Sequence, residues 1–329
     1  MRVLVTGGAG YVGSHAVKLL RRAGHEPVIL DNFSSGRREL LQSREVIEAD
    51  LADAPALRRA FEHGAFEAVL HFASLIEVGE SFADPQKYYR HNLVCGLNLL
   101  QAMLEAGVKK VIFSSSAAVY GAPRKTPVDE THPLEPANPY GRTKLFLEKI
   151  LEDYDRAYGL KFISLRYFNA AGADPDGELG EMHDPETHLI PNILFTALGR
   201  KKSLDLFGTD FPTPDGTAVR DYVHVADLAQ AHLLALEKLE TSETSDCINL
   251  GAGRGYSVLE VVKKAEEVTG RAVVYTRRPP RRGDVPVLLA SRERAESALG
   301  WKPALSDLES IIRTAWQWHS QAHAEKRGK

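Results

Sequence analysis

Residues 6–13 read TGGAGYVG and follow directly on the apolar run RVLV at 2–5. Gly7, Gly10 and Gly13 are spaced three apart. Glycines between a strand and a helix permit a tight turn and let backbone N–H groups approach a pyrophosphate. The positive end of the helix then points at the same place. Asp31 closes the next apolar run about 20 residues on, where a carboxylate accepts from the adenosine ribose hydroxyls. An acid there repels a 2′-phosphate, so the pattern predicts NAD rather than NADP as the cofactor. A glycine turn that merely packs a helix on a strand is the plainer alternative. Here strand, glycines, helix and spaced acid all agree.

Outward from this turn the strand–helix rhythm continues. Short apolar runs at 2–6, 26–31, 45–50, 68–74, 110–116 and 161–169 read as strands, and 11–23, 54–62, 85–106 and 139–158 read as helices. Strands that are apolar throughout, alternating with helices, predict a parallel sheet covered on both faces. After about residue 170 the chain gathers Gly, Pro and Asp in GADPDGELGEMHDPE (172–186) and GTDFPTPDGT (208–217), which read as loops over a cleft. A strand at 222–225, a helix to about 240 and a strand at 246–250 resume the rhythm, and helices at 258–269 and 307–324 close it. The expected fold class is α/β, a Rossmann-like doubly wound parallel sheet with a smaller C-terminal α/β substrate domain. The expected division gives residues 1–169 to the cofactor domain, with 219–250 returning to it. Residues 170–218 and 251–329 form the smaller domain.

Bulk properties narrow the function classes. With 329 residues and 43% hydrophobic content, the chain can bury one large domain or two that share an interface. The net charge of −3 comes from interspersed acids and bases, which argues against a nucleic-acid partner. The basic patch RRPPRR at 277–282 is too short for a polybasic arm but suits a small polyanion. Cys95 and Cys247 stand alone, without a CxxC partner, so a reducing, cytoplasmic setting is expected. The start MRVLVTGG does not read as a signal peptide, no run approaches a membrane span, and no membrane partner is expected.

The chemistry centres on NPYGRTK (138–144). Asn138 can cap a helix that Pro139 begins, and Tyr140 and Lys144, four apart, share one face of it. Of eleven tyrosines, Tyr140 alone has a lysine four residues later. A free phenol titrates near ~10. A cation held nearby favours the phenolate and brings the tyrosine toward work as a base at neutral pH. Ser116, at the end of the strand before, can hydrogen-bond the same substrate oxygen. These three are the candidate catalytic residues.

At these residues the chain resembles the extended short-chain dehydrogenase/reductases, through TGGAGYVG, LDNFSSG (30–36), HFAS (71–74), FSSSAAVYG (113–121), PYGRTK and LRYFNAAG (165–172). PETHLIPNIL (185–194), LFGTDFPTPDGTAVRDYVHVADLA (206–229), NLGAGRGYSVLEV (249–261) and PRRGD (280–284) make it similar to the UDP-glucose 4-epimerase family over nearly the whole chain. The resemblance implies NAD contacts at Gly7, Gly10, Tyr11, Val12, Gly13, Asp31, Asn32, Asp50, Leu51, Phe72, Ala73, Asn92, Tyr140, Lys144 and Phe168. It implies UDP-hexose contacts at Ser116, Tyr140, Asn169, His188, Leu189, Phe207, Arg220, Arg281, Asp284 and Leu288. Arg220 and Arg281 have the donor geometry that phosphate oxygens need. On residue type alone, Arg281 would read as a surface charge among basic neighbours. The resemblance also implies a homodimer built on the helices at 85–106 and 139–158.

The implied reaction is reversible oxidation at C4 of the sugar, with NAD tightly bound and recycled. Tyr140 takes the 4-OH proton, Ser116 helps, and Lys144 binds the nicotinamide ribose. The chain departs from the family pattern at Ala118, where threonine is frequent, at Ile76, where lysine sits near the cofactor phosphates, and at His188, in place of asparagine. Leu288 is intermediate between the bulky tyrosine of members restricted to plain hexoses and the small residue of members that accept N-acetylated sugars. Plain UDP-hexoses are therefore the expected substrates, with N-acetylhexosamines as a side activity. Two rivals are a related dehydratase or decarboxylase and a non-catalytic NAD-binding regulator. Elimination needs an acid after the strand-end serine, where Ala117 and Ala118 stand, and a regulator has no need to keep both Tyr140 and Lys144. No metal is expected: His183 and His188 lack a third ligand at a convincing spacing.

Overall fold

The computed structural model describes residues 1–327. Its first six strands are β1 (Arg2–Thr6), β2 (Glu26–Asp31), β3 (Val46–Glu48), β4 (Ala68–His71), β5 (Lys110–Ser116) and β6 (Lys161–Tyr167). Three more, β7 (Asn169–Ala171), β8 (Leu204–Phe207) and β9 (Val219–His224), lie outside that set. The next, β10 (Asp246–Leu250), returns to it, giving a seven-stranded sheet in the order β10-β6-β5-β4-β1-β2-β3. Every pairing in it is parallel. The order reverses between β1 and β4, the place where a doubly wound sheet opens a crevice at its strand ends.

The helices are α1 (Tyr11–Arg22), α2 (Ala54–Gly64), α3 (Val78–Ala83), α4 (Pro85–Tyr88), α5 (Cys95–Glu105), α6 (Pro139–Tyr158), α7 (Leu189–Ala197), α8 (Val225–Thr241), α9 (Val258–Thr269), α10 (Glu293–Leu299) and α11 (Leu308–Arg327). α1 and α8 cover one face of the large sheet and α2, α5 and α6 the other, while α7, α9 and α11 pack together in a separate core with Tyr222 and Tyr256. The two-residue period of a strand sorts the core. Val3, Val5, Leu70, Ile112 and Ile163 pack with Leu20 of α1 and Leu228 and Leu236 of α8. Leu4, Val69, Val111, Phe113 and Phe162 face the other way, onto Leu57 of α2, Leu99 of α5 and Leu147 of α6.

Three expected elements differ in the structure. The strand expected over 161–169 breaks at Phe168: Tyr167 stays in the large sheet beside Leu250, while Asn169 pairs with Tyr222 of β9. The helix expected over 85–106 is interrupted at Tyr89–Val94 by a wide i→i+5 turn. The return to the large sheet expected over 219–250 is made by α8 and β10 alone. β9 joins a separate sheet with β7, β11 (Gly255–Ser257) and β13 (Val287–Leu288), while β12 (Tyr275–Arg278) pairs β8.

Several histidines are sealed into this core. His15, His71 and His232 are buried, and each has an Nε2 atom without a hydrogen-bond partner. Burial pulls their pKa values down, to about 4 for His15 and His232 and about 3 for His71. The folded chain therefore holds them neutral where the unfolded chain, titrating near ~6.5, takes up a proton. Their contribution to stability is present above pH ~6.5 and is lost as pH falls toward ~4, by roughly 3 kcal/mol for each ring at the lower limit. A melting series should show a steep fall in Tm from about pH 6.5 to 4. A Tm unchanged down to pH ~4 would contradict neutral burial of these rings.

Candidate functional site

The glycine turn lies against the end of β4. Phe72 N and Ala73 N both donate to Thr6 O, at 2.9 and 3.1 Å, which draws the two strand ends together. Gly7 has φ +72°, and a Cβ there would stand 2.6 Å from Ala73 N. A Cβ on Gly13 would stand 2.3 Å from Gly7 O. Gly10 caps α1 with no side chain, so no residue of the chain claims the first N–H groups of Tyr11, Val12 and Gly13 through such a cap. This is a cradle that side chains would fill, at a helix N-terminus suited to a diphosphate.

The remaining cofactor candidates surround it. Asp31 accepts from Ala9 N at 3.0 Å and Phe33 N at 2.9 Å; its burial outweighs those donors and raises its carboxyl pKa. Asn32 Nδ2 donates to Asp50 at 2.7 Å, and Leu51 beside it is buried. Asn92, in the wide turn, accepts from Leu75 N at 2.8 Å and donates to Leu75 O and Thr143 Oγ1 at 2.9 and 3.1 Å. It thereby ties the loop after β4 to α6. Tyr11 OH donates to Gly172 O at 2.6 Å. Phe168 packs with Ala117, Val119, Tyr120 and Val128.

Ser116, Tyr140 and Lys144 come together where β5 ends and α6 begins. Asn138 caps α6, accepting from Gly141 N at 2.7 Å, and Gly141 lets the helix start close on Ala118, whose O would be 2.4 Å from a Cβ there. Ser116 Oγ accepts from Ala118 N at 3.1 Å and lies close enough to the Tyr140 phenol to favour its ionised form. Lys144 is 2% exposed, with Nζ donating to Ser74 Oγ at 2.9 Å and Ser114 O at 2.8 Å, and lying 5.8 Å from the centre of the Tyr140 ring. Burial lowers its pKa to about 7, with Glu148 working in the opposite direction. The lowering expected for Tyr140 is absent. Burial raises the phenol, the Ser116 hydroxyl offsets part of that, and the Glu77 carboxylate adds to it. The sequence reading missed Ser74 and Glu77, since neither is spaced regularly from the YxxxK pair.

Behind the triad runs a buried polar chain. Arg166 donates to both oxygens of Glu148, at 2.9 and 2.7 Å, and to Tyr120 OH at 2.9 Å. Ser115 Oγ also donates to Glu148, and Tyr120 OH donates to Asn249 at 2.7 Å. This chain joins β5, β6, β10 and α6 directly below their site ends.

The substrate candidates fall into two groups. Asn169, Arg220 and Leu288 lie on neighbouring strands, with Leu288 registered opposite Arg220 and Asn169 Nδ2 donating to Asp221 O at 3.1 Å. Arg220 is anchored on Val285 O at 2.7 Å, with its Nη2 3.9 Å from Asp284. Arg281 Nε is 3.3 Å from the same carboxylate, and its guanidinium lies 5.3 Å from the Phe207 ring. His188 and Leu189 form the second group, at the start of α7.

His188 has a neighbourhood the sequence did not show. Glu181 pairs with both His188 and His183, and Glu186 stands close to both imidazoles. Spacing along the sequence offered no convincing third ligand for these histidines, and the fold brings two carboxylates beside them. The 181–188 segment is an irregular loop, so its spacing matches neither a helix nor a hairpin. Burial would lower the His188 imidazolium, but Glu181 outweighs it and raises the pKa to about 9.

The profile of the NAD dependent epimerase/dehydratase family matches residues 3–251. The chain is 48% identical to a UDP-glucose 4-epimerase of Lacticaseibacillus casei, over all of this chain and 99% of the relative. Among solved structures it is similar to UDP-glucose 4-epimerase from Brucella ovis in complex with NAD, with TM-score 0.93, 49% identity and coverage of 95% of this chain and 97% of that one. The enzyme of Bifidobacterium longum in complex with NAD+ and UDP superposes with TM-score 0.93 at 38% identity, over 97% and 98% of the two chains.

The turn makes a direct prediction. Gly13→Ala pushes a methyl group onto Gly7 O and should cost about 1–3 kcal/mol of local fit, raising the Kd for NAD by roughly tenfold or more. NAD released from the denatured variant, measured per chain against the parent protein, checks this. Equal NAD content would remove the turn from the cofactor site.

Proposed function

The chain belongs to the NAD dependent epimerase/dehydratase family, and we infer that it interconverts UDP-glucose and UDP-galactose by inverting C4 through a transient 4-keto sugar. NAD is its cofactor, and it supplies reversible hydride acceptance at the nicotinamide. The observation that carries this reading is the junction of Ser116, Tyr140 and Lys144 beside the glycine turn, in a chain alike over its full length to epimerases.

We assign the roles as follows. Tyr140 removes the proton of the sugar 4-OH as C4 is oxidised and returns it on reduction. Ser116 hydrogen-bonds the same oxygen and favours the phenolate. Lys144, desolvated, holds a cation near the Tyr140 ring and faces the cofactor ribose. Arg220 and Arg281 hold the diphosphate, with Asn169, Leu189 and Phe207 around the nucleotide. An anchored nucleotide leaves the keto sugar free to turn and present its other face. Ala117 and Ala118 put no acid beside C5, which disfavours elimination. On this reading 1–169 with the α8–β10 return carries the cofactor, and 170–218 and the C-terminal part hold the UDP-sugar.

Leu288, opposite Arg220, supports plain UDP-hexoses as the main substrates, with slower turnover of N-acetylhexosamines. Val94 and Phe146 are large apolar side chains left 50% and 44% exposed on the wide turn and α6, which supports a homodimer through these helices. Two unpaired cysteines support the cytoplasm as the setting.

Purified protein given UDP-galactose should form UDP-glucose with no NAD added. No turnover, or a 4-keto product that accumulates, would overturn the assignment. Tyr140→Phe should lower kcat by about 10²–10⁴-fold with NAD still bound; an unchanged rate would refute its role as base. Comparable rates on UDP-N-acetylglucosamine would refute the role given to Leu288. Light scattering on Phe146→Asp should show a shift from dimer to monomer, and an unchanged mass would place the interface elsewhere.

A further inference from the structure

The loop that leads into α7 brings four donors to one point. Glu181, His183, Glu186 and His188 each offer a ligand atom, and these atoms all lie within 4.8 Å of one another. His183 Nδ1 is 2.9 Å from Glu181 Oε1 and 4.0 Å from Glu186 Oε1, and His188 Nδ1 is 3.7 Å from Glu186 Oε1. Around a tetrahedral ion with bonds of about 2.0–2.1 Å, neighbouring donors stand about 3.4 Å apart. The observed separations lie on both sides of that value, from the direct Glu181–His188 contact to no more than 4.8 Å, so binding an ion would draw the outer donors in and part that pair.

A hydrogen-bonded cluster alone leaves a deficit here. The Glu186 side chain is 5% exposed, and its Oε2 is buried with no hydrogen-bond partner. Glu181, 3% exposed, places a second carboxylate beside it. The His188 imidazolium gives this pair one positive charge, but the unpartnered buried Glu186 oxygen still costs about 1–3 kcal/mol or more. One divalent ion in place of the imidazolium proton balances both carboxylates and supplies the missing bond.

The loop is also held from outside, as ligand shells are. Trp318 Nε1 donates to Glu181 O at 3.2 Å, Arg37 Nε to Met182 O at 3.2 Å, and Asn192 Nδ2 to Glu186 O and His188 O at 3.2 and 2.7 Å. The His183 ring meets the Tyr11 ring edge-on at 6.2 Å, so the cluster abuts the start of α1.

We propose that Glu181, His183, Glu186 and His188 form a binding site for one divalent transition-metal ion of the zinc class. Two imidazole nitrogens with two carboxylate oxygens suit zinc or cobalt and do not suit magnesium or calcium, which take oxygen donors. The ion would fasten the loop between the cofactor turn and the start of α7, with no part in the hydride or proton steps. On this proposal His188 is a metal ligand, in place of the UDP-hexose contact that the resemblance implies for it, and the readout is metal content and not turnover.

The test uses untagged protein, stripped with a chelator, loaded with zinc sulfate and passed through a desalting column. Elemental analysis should find about one zinc per chain, and melting should move to higher temperature with zinc but not with magnesium. Cobalt in place of zinc should give the visible absorption band of tetrahedral coordination. Glu186→Gln and His183→Gln should each abolish stoichiometric retention and the absorption band, with circular dichroism showing both variants folded. Failure of the parent protein to retain zinc or to shift its Tm overturns the proposal, as does retention of a full equivalent by both folded variants.

Discussion

The ammonium of Lys144 sits deep inside the protein, and its hydrogen bonds go to a hydroxyl and a backbone carbonyl, neither of them charged. Taking a cation out of water costs several kcal/mol unless donors and acceptors are placed for it. That placement needs three elements at once. The end of β5 supplies Ser114 O, the loop after β4 supplies Ser74, and α6 supplies the lysine itself. Each is fixed by a separate need: sheet pairing for β5, the Thr6 and Asn92 bonds for the loop, and the Asn138 cap for α6. The phenol of Tyr140 and the hydroxyl of Ser116 inherit their positions from the same three elements.

Below this level the fold replaces apolar packing with a polar chain. Glu148, wholly buried, meets the Arg166 guanidinium through two bonds, and Tyr120 and Asn249 carry the chain to β10. Such pairs contribute little net stability, yet removing one partner leaves a buried charge and costs about 3–5 kcal/mol. All of these bonds form together in the observed register of β5, β6 and β10. The strand ends that carry Ser116 and Phe168 are thereby set relative to the start of α6 more tightly than oily contacts would set them.

Much of this was legible in the sequence because it is local. The glycines of the turn and the Tyr140–Lys144 pair act through spacing along one strand–turn–helix unit, and the structure places the glycines between β1 and α1 and the pair within α6. What escaped is tertiary. The break at Phe168 is invisible in a segment that reads as one strand, since residues on either side of it pair in two different sheets. Only the folded loop brings Glu181 and Glu186 onto His183 and His188. The direction of the Tyr140 pKa followed the same course. Proximity to a lysine can be read from spacing, while burial of both groups and the carboxylate of Glu77 cannot.

The wide turn at Tyr89–Val94 bears on how this segment can vary. Regular α-helix advances about 100° per residue, and a turn of the i→i+5 kind holds one residue more than a regular turn would. Asn92 owes its aim at Leu75 and Thr143 to that surplus. Loss of a single residue here would restore a smooth helix and rotate everything on one side of it by about a quarter of a circle. Side-chain substitutions along these positions are thus gentler than any change in their number, and the segment behaves as a phase setting whose value is its length.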